Sequence, residues 1–401
     1  MKKATRQHTK GHNRILVLRT IFDHPSISRA EIARSTGLTR TTVSEIVSAL
    51  LTEGLVSEIG IGESQGGKSP ILISLDENSR YLVGLDLAHS EFRGAVVSLR
   101  GKLCATLSTP LNGRSGQDAL ALVYRTLDEL LRLGHAPLVG IGVGTPGLVN
   151  MADGVVINAV NLDWKDLPLA ELLRQRYNLP VFVLNDSQAA ALGEYTFGEG
   201  NLSDGNLVAI NARHGLGAGL VIKGQLFQGD GGGAGEIGHF VVVRQGGELC
   251  RCGNYGCLET VASVQALVKK ASSLARENPR SFLGQWDGPV DLNAIHQAYL
   301  AADPSVQQIV NQSAQYMGMA ISALVGSVNI QRIVLLGDMT CFGEPWLDII
   351  RETVAHTSLP RLANETRVEI GQLGRDSILL GASAVLANNF SLLFIRQALH
   401  A

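Results

Sequence analysis

The sequence predicts an α/β protein: a body of two lobes carrying a small winged helix-turn-helix head at its N-terminus. Three observations predict it. Residues 13–75 show three short helical patterns followed by two strands around a glycine-rich tip. From Tyr81 onward, apolar strands ending in glycine turns alternate with amphipathic helices, and the plan is run through twice. Inside the second run lie three closely spaced cysteines and a histidine. A chain of 401 residues has room for two or three domains with cores of their own, and its 45 glycines suit a body full of tight turns.

The head comes first. Ile15, Leu16, Leu18, Ile21 and Phe22 predict a helix that stops before Pro25. Ser28-Arg29-Ala30-Glu31 is a capping box opening a second helix. Ala33 is small enough for two helices to cross closely, Gly37 supplies the positive φ of the turn, and Val43 and Ile46 are the buried face of a third helix. Thr39 caps that third helix, whose exposed start offers Arg40, Thr41, Thr42 and Ser44. Short hydrogen-bonding side chains with one arginine suit phosphates and base edges in a major groove. Ser28 and Arg29, at the start of the second helix, join them as candidate DNA contacts. Leu55–Ile59 and Ile71–Leu75 read as strands flanking a tip with Lys68, a wing placed for the DNA backbone or minor groove.

Charge supports this division. Through Leu75 the chain carries four more Lys and Arg than Asp and Glu, so with a net charge of −2 the remainder carries a surplus of six negative charges. A basic head on an acidic body implies that the head meets a polyanion. The blander alternative, a helical protein-interaction module, leaves the charge and the wing unexplained. Double-stranded operator DNA is the expected partner. One winged helix makes few contacts, so a homodimer or a dimer of dimers is expected to read paired half-sites.

In the body, Tyr81–Asp86 reads as a buried strand with Phe92–Leu99 and Leu103–Leu107 as antiparallel neighbours. Ala119–Leu133 is an amphipathic helix, Leu138–Val143 a second buried strand, and Val181–Leu184 a third that runs through Asn185-Asp186 into an alanine-rich helix. The second lobe begins with Leu207–Asn211, turns at Gly215–Gly219, and has a late strand at Ile333–Leu336. Two such lobes imply a cleft between them as the ligand site. Ser377–Ile395 lacks charges, but its asparagines and helical spacing favour a buried C-terminal helix over a membrane span. The N-terminus is polar, without a secretory h-region, so no membrane association and a cytoplasmic location are expected.

The cysteine cluster reads Cys250-Arg251-Cys252-Gly253-Asn254-Tyr255-Gly256-Cys257, with His239 eleven residues upstream. Three thiolates and one imidazole fill a tetrahedral Zn²⁺ site with no open position, the arrangement of structural zinc. The alternative, buried free thiols, does not account for the glycine spacing. Glu236 and Glu259 flank the ligands, so folding the loop around the metal brings two carboxylates toward His239.

The motifs Gly142-Val-Gly-Thr-Pro-Gly147, Asn185-Asp186 with Ala189–Glu194, Gly235-Glu-Ile-Gly-His239 and Cys250–Glu259 carry a resemblance. The chain resembles the ROK family of repressors and sugar kinases over essentially its whole length, and most of all the branch of xylose, glucose and N-acetylglucosamine repressors. The resemblance implies an actin-like, two-lobed sugar-kinase (RNase H-like) fold. It divides the chain into a winged helix-turn-helix domain at 1–76, a first lobe at 77–195, a second lobe with the zinc site at 196–375, and a C-terminal helix at 376–401 packing back toward the N-terminal half. It also implies a monosaccharide in the cleft, with Asn161, Asn185, Asp186, Glu236, His239 and Glu259 on the family's sugar contacts. Asn185-Asp186 reads equally well as a helix cap after a strand, and the two roles are compatible.

Asp186 falls on the family's catalytic base, so a sugar kinase with a DNA-binding head competes with a sugar-responsive repressor. The phosphate-binding half of the family pattern departs in three places. Asp-x-Gly-Gly-Thr stands as Asp86-Leu87-Ala88-His89-Ser90, Gly-Thr-Gly as Arg213-His214-Gly215, and the paired glycines of the adenosine strand as Gly337-Asp338. Glycines let backbone amides approach a phosphate without a Cβ in the way, so their loss favours a regulator without kinase activity. A sugar-binding scaffold with a vestigial head leaves the recognition helix unexplained. Some relatives answer instead to a protein partner from sugar uptake.

Overall fold

In the computed structural model the described residues are 6–63, 69–198 and 205–394. The head consists of α1 (Arg6–Phe22), β1 (Ile27–Ser28), α2 (Arg29–Thr36), α3 (Arg40–Thr52), β2 (Val56–Ile61) and β3 (Ile71–Leu75). Its short helices are held by their ends. Ser28 Oγ accepts from Glu31 N at 3.3 Å while the Glu31 carboxylate accepts from Ser28 N at 2.8 Å. Gly37 ends α2 at φ +68°, and Thr39 Oγ1 accepts from Thr42 N at 3.2 Å to start α3. Strand β1, unread in the sequence, pairs antiparallel with β3 and places Ile27 opposite Ile73, giving the order β1-β3-β2. Two residues are too few to show an alternating pattern.

The first lobe carries β4 (Tyr81–Leu87), β5 (Glu91–Ser98), β6 (Leu103–Pro110), α4 (Gly116–Leu131) and β7 (Leu138–Thr145). A side sheet of β8 (Leu148–Asn150), β9 (Val155–Ala159) and β10 (Trp164–Leu167) follows, then α5 (Leu169–Tyr177), β11 (Val181–Asn185) and α6 (Asp186–Phe197). The second lobe carries β12 (Leu207–Ala212), β13 (Leu216–Ile222), β14 (Gln225–Phe227), α7 (Glu259–Ala262), α8 (Val264–Glu277), α9 (Leu292–Leu300), α10 (Pro304–Val328), β15 (Arg332–Leu336), α11 (Gly343–Thr357), α12 (Pro360–Glu365) and β16 (Arg367–Ile370). Helix α13 (Ser377–Ala387) closes the body.

The two lobes share one topology. Their main sheets run β6-β5-β4-β7-β11 and β14-β13-β12-β15-β16. In each, three strands meander antiparallel, and two more are added parallel to the first. The repeated plan read in the sequence is therefore a repeated sheet.

Helix α13 crosses back onto the first lobe. A Cβ at Gly142 of β7 would lie 1.8 Å from Ala382 O, so only glycine lets the helix backbone settle there. The helix ends at Ala387, short of the Ile395 read from its charge-free run. Asn388 instead donates through Nδ2 to Thr196 Oγ1 at 3.0 Å, and the chain turns into a single 3₁₀ turn at Leu392–Phe394. Phe390 meets Phe22 of the head edge-on with ring centroids 5.5 Å apart, and Arg14 stacks over Phe394 at 3.9 Å. Arg100 adds two donations to the head, to Phe22 O at 2.5 Å and His24 O at 2.9 Å. Among the described residues no helix is long and apolar enough to cross a membrane.

Candidate functional site

Four ligand atoms converge in the second lobe: those of His239, Cys250, Cys252 and Cys257 lie within 4.8 Å of one another. His239 Nδ1 is 3.6 Å from Cys250 Sγ, and Cys252 Sγ is 3.6 Å from Cys257 Sγ. A tetrahedron of thiolates about 2.3 Å from a Zn²⁺ ion has edges of about 3.8 Å, whereas a disulfide needs about 2.05 Å. The spacing fits a shared metal ion and excludes a bridge. Gly256 makes the loop possible, since a Cβ there would lie 1.9 Å from Val243 O at a φ of +72°. With Nδ1 among the cysteines, the other imidazole nitrogen of His239, Nε2, stands 3.7 Å from Glu236 Oε2. One ring thus stands against both the cysteine cluster and Glu236. Burial pushes the Glu236 carboxyl above its ordinary range, although His239 pulls the other way.

On the first lobe, Asn185 caps α6. Its Oδ1 accepts from Ser187 N at 2.9 Å and Gln188 N at 3.3 Å, and its Nδ2 donates to Gly147 O at 2.9 Å. The cap reading of Asn185 is thus realised, with one amide N–H unengaged. Asp186 begins the helix, and its Oδ1 accepts from Ser187 N at 2.7 Å. Burial pushes the Asp186 carboxyl up to about 6; the Arg213 guanidinium opposes that rise and the Asp86 carboxylate adds to it.

Arg213 lies where the lobes meet. Its Nη1 stands 3.1 Å from Oδ2 of Asp86, which is 1% exposed, and its Nε is 3.9 Å from Asp338 Oδ2. Burial drives the Asp86 carboxyl upward and the guanidinium pulls it back, the balance expected of an interior ion pair. Beside it, His89 of the first lobe stacks on His214 of the second, with centroids 3.9 Å apart and planes 13° from parallel. Burial, then the neighbouring His89, takes the His214 imidazole down to about 4. Side chains therefore bridge the lobes at two points behind Asp186.

Asn161 and Glu259 meet through a residue that sequence reasoning missed. Arg251 donates to Asn161 Oδ1 at 2.8 Å and to Glu259 Oε1 at 2.9 Å, while Glu259 Oε2 accepts from Leu216 N at 3.2 Å. The only signal was an arginine between two of the clustered cysteines.

In the head, Thr39, Arg40, Thr41 and Ser44 are exposed on one end of α3, and Thr42 is half-buried beside Thr39. Ser28 is a correction: it is 3% exposed, with its hydroxyl donating to Glu31 at 2.7 Å, so the capping box consumes it. Arg29 is paired with Glu58 at 2.9 Å. Lys68 lies outside the described residues.

Comparison with known proteins agrees with both halves. The ROK family profile matches residues 82–389, and a winged helix-turn-helix DNA-binding profile matches residues 12–57. The xylose repressor of Caldicellulosiruptor bescii is 32% identical over 95% of this chain and 96% of its own length. A glucokinase of Halalkalibacterium halodurans is 33% identical but reaches only 76% of this chain, while 94% of its own length is covered. The crystal structure of a ROK family transcriptional regulator, a homolog of the E. coli MLC protein, superimposes with a TM-score of 0.84 at 27% identity, covering 96% of this chain and 98% of the other.

Two outcomes are expected. Cys252→Ser should lower bound metal and thermal stability together, because ligand binding at such a cluster is folding energy; metal analysis and melting with and without chelator check this. Asp186→Asn should flatten a pH dependence. A carboxyl whose folded pKa is raised from 3.8 to about 6 favours the folded state below that window, and its contribution is lost as pH rises through it. Near neutral pH the variant should therefore be more stable than the parent, by up to about 3 kcal/mol for a shift of that size, with the gain vanishing near pH 4 in denaturant titrations.

Proposed function

This chain belongs to the ROK family, and from that premise we propose that it is a sugar-responsive transcriptional repressor. The head binds operator DNA through the start of α3, and a monosaccharide in the interlobe cleft controls that binding. The observation that carries the reading is the conjunction of a capped recognition helix with polar side chains of both lobes that meet, Asn161 of the first with Arg251 and Glu259 of the second. The xylose repressor aligns along 95% of this chain, whereas the glucokinase reaches 76% of it.

The sugar contacts are Asn185 and Asp186 from the first lobe and Glu236, His239 and Glu259 from the second, with Asn161 at the rim. Carboxylates and amides suit a ligand made of adjacent hydroxyls, since an epimer leaves one of them buried and unpaired. The His239–Cys250–Cys252–Cys257 cluster holds a structural Zn²⁺ that fixes the His239 tautomer and leaves Nε2 for the ligand. The working unit is a homodimer on two half-sites.

A kinase reading is less well supported. Asp186 has the family's base position, but Arg213 is salt-bridged to Asp86, and His89 and His214 stack on each other where the family pattern has glycine beside a phosphate. Monosaccharide binding without phosphate transfer follows.

A mobility-shift titration with and without xylose, glucose and N-acetylglucosamine tests the proposal, run beside a coupled phosphorylation assay with ATP. Arg40→Ala should weaken operator binding by roughly 5–150-fold, taking about 1–3 kcal/mol for a specific contact. Asp186→Asn should blunt the sugar's effect while sugar-free DNA binding stays near the parent's. Phosphorylation at ordinary enzyme rates, roughly 1–10³ per second, overturns the regulator reading; operator affinity that ignores every sugar points to a protein partner instead.

A further inference from the structure

Arg251 is absent from the sugar contacts that the resemblance implies, yet it joins two of them. It sits between the metal ligands Cys250 and Cys252 and reaches out of the loop into the cleft. Asn161, its partner at 2.8 Å, follows β9 in the first lobe; Glu259, its partner at 2.9 Å, begins α7 in the second. One planar fork therefore ties the lobes together at the rim of the cleft, a geometry that arginine holds and lysine does not. Gly215 gives it space, since a Cβ there would come within 2.8 Å of Glu259 Oε2 and 3.9 Å of Arg251 Nη2.

The donor count gives this fork a role beyond bracing. Asp186, Glu236 and Glu259 only accept when ionised, and Asn185 already spends one amide N–H on Gly147 O. A monosaccharide offers hydroxyl hydrogens to such acceptors, but its ring and hydroxyl oxygens also need donors. Arg251 has five N–H groups, of which two are engaged, and its side chain is 41% exposed while that of Glu259 is 12% exposed. It brings fixed positive charge and spare donors to a wall otherwise dominated by acceptors.

We infer that Arg251 is a further effector-binding residue, strapping the two lobes together over the cleft and donating to the oxygens of the bound monosaccharide. The inference rests on the sugar-responsive reading above. Through it, the metal loop not only positions His239 but also delivers a ligand contact, so the loop's fold and the effector affinity are coupled.

The test is calorimetry on the full-length, metal-loaded protein with xylose, glucose and N-acetylglucosamine as probes, comparing the parent with Arg251→Ala and Arg251→Lys. For a sugar that binds the parent, Arg251→Ala should raise Kd by about tenfold or more, the loss of one hydrogen bond to a charged donor. Arg251→Lys should recover little of it. Bound metal should remain at the parent's level, and spin labels on the two lobes should show a wider distance distribution without ligand. An unchanged Kd for every sugar that binds overturns the inference. So does loss of metal together with affinity, which makes Arg251 a support of the loop alone. If none of the three sugars binds the parent, the sugar-responsive reading fails, and the donor role with it. The distance distribution then decides the strap, and an unchanged one removes it.

Discussion

The crossing of α6 and α13 is the contact on which the rest of the molecule depends. A Cβ at Gly381 would lie 1.6 Å from Ala189 O, and one at Gly193 would lie 2.4 Å from Ser377 O, so the two helices touch backbone to backbone. Each follows one lobe in sequence and packs against the other: α6 lies on β12 and β13, and α13 on β4 and β7. The lobes are therefore interlocked through small residues and can hinge, but they cannot part without opening both cores. The functional regions hang from this crossing. Asn185 and Asp186 stand at the start of α6, and the chain leaving α13 carries Phe390 to Phe22 in the head. Cleft wall, body core and DNA-binding head form one continuous packing, as their shared hydrophobic cluster shows.

Much of this was legible in the sequence because it rests on local rules. The capping box at Ser28 and Glu31, the left-handed turn at Gly37 and the cap at Thr39 each require particular residues at fixed offsets, and each forms. The gathering of His239, Cys250, Cys252 and Cys257 was legible for the same reason: residue type and glycine spacing leave few other folds for the loop. Even the duplicated sheet left its trace as two runs of strand, glycine turn and helix.

What escaped the sequence depends on partners far along the chain. Strand β1 exists because β3, some 45 residues later, offers it an edge. The side sheet of β8, β9 and β10 is made of strands of three to five residues, too short for a periodic signal. The end of α13 was misread because hydropathy continues past Ala387 while the backbone turns to meet the head, a tertiary demand that no local residue announces. Arg251 was missed because its partners lie 90 residues upstream and 8 residues downstream, in different lobes. Ser28 was offered to DNA because its type is right, but a hydroxyl spent on its own helix cap has none left to give.

Where the lobes meet, Asp86, His89, Arg213 and His214 are mutually dependent. Asp86 is 1% exposed and depends on Arg213 for its charge balance. Removing one partner of a buried pair costs about 3–5 kcal/mol, because the other is left charged and unsolvated. Changing Arg213 alone to glycine would take the salt-bridge partner from Asp86, and changing His89 alone to glycine would leave His214 without the ring it stacks on. Asp86 with Arg213, and His89 with His214, are charge and packing partners across the two lobes. Both pairs are contacts of the chain itself that hold the lobes in register.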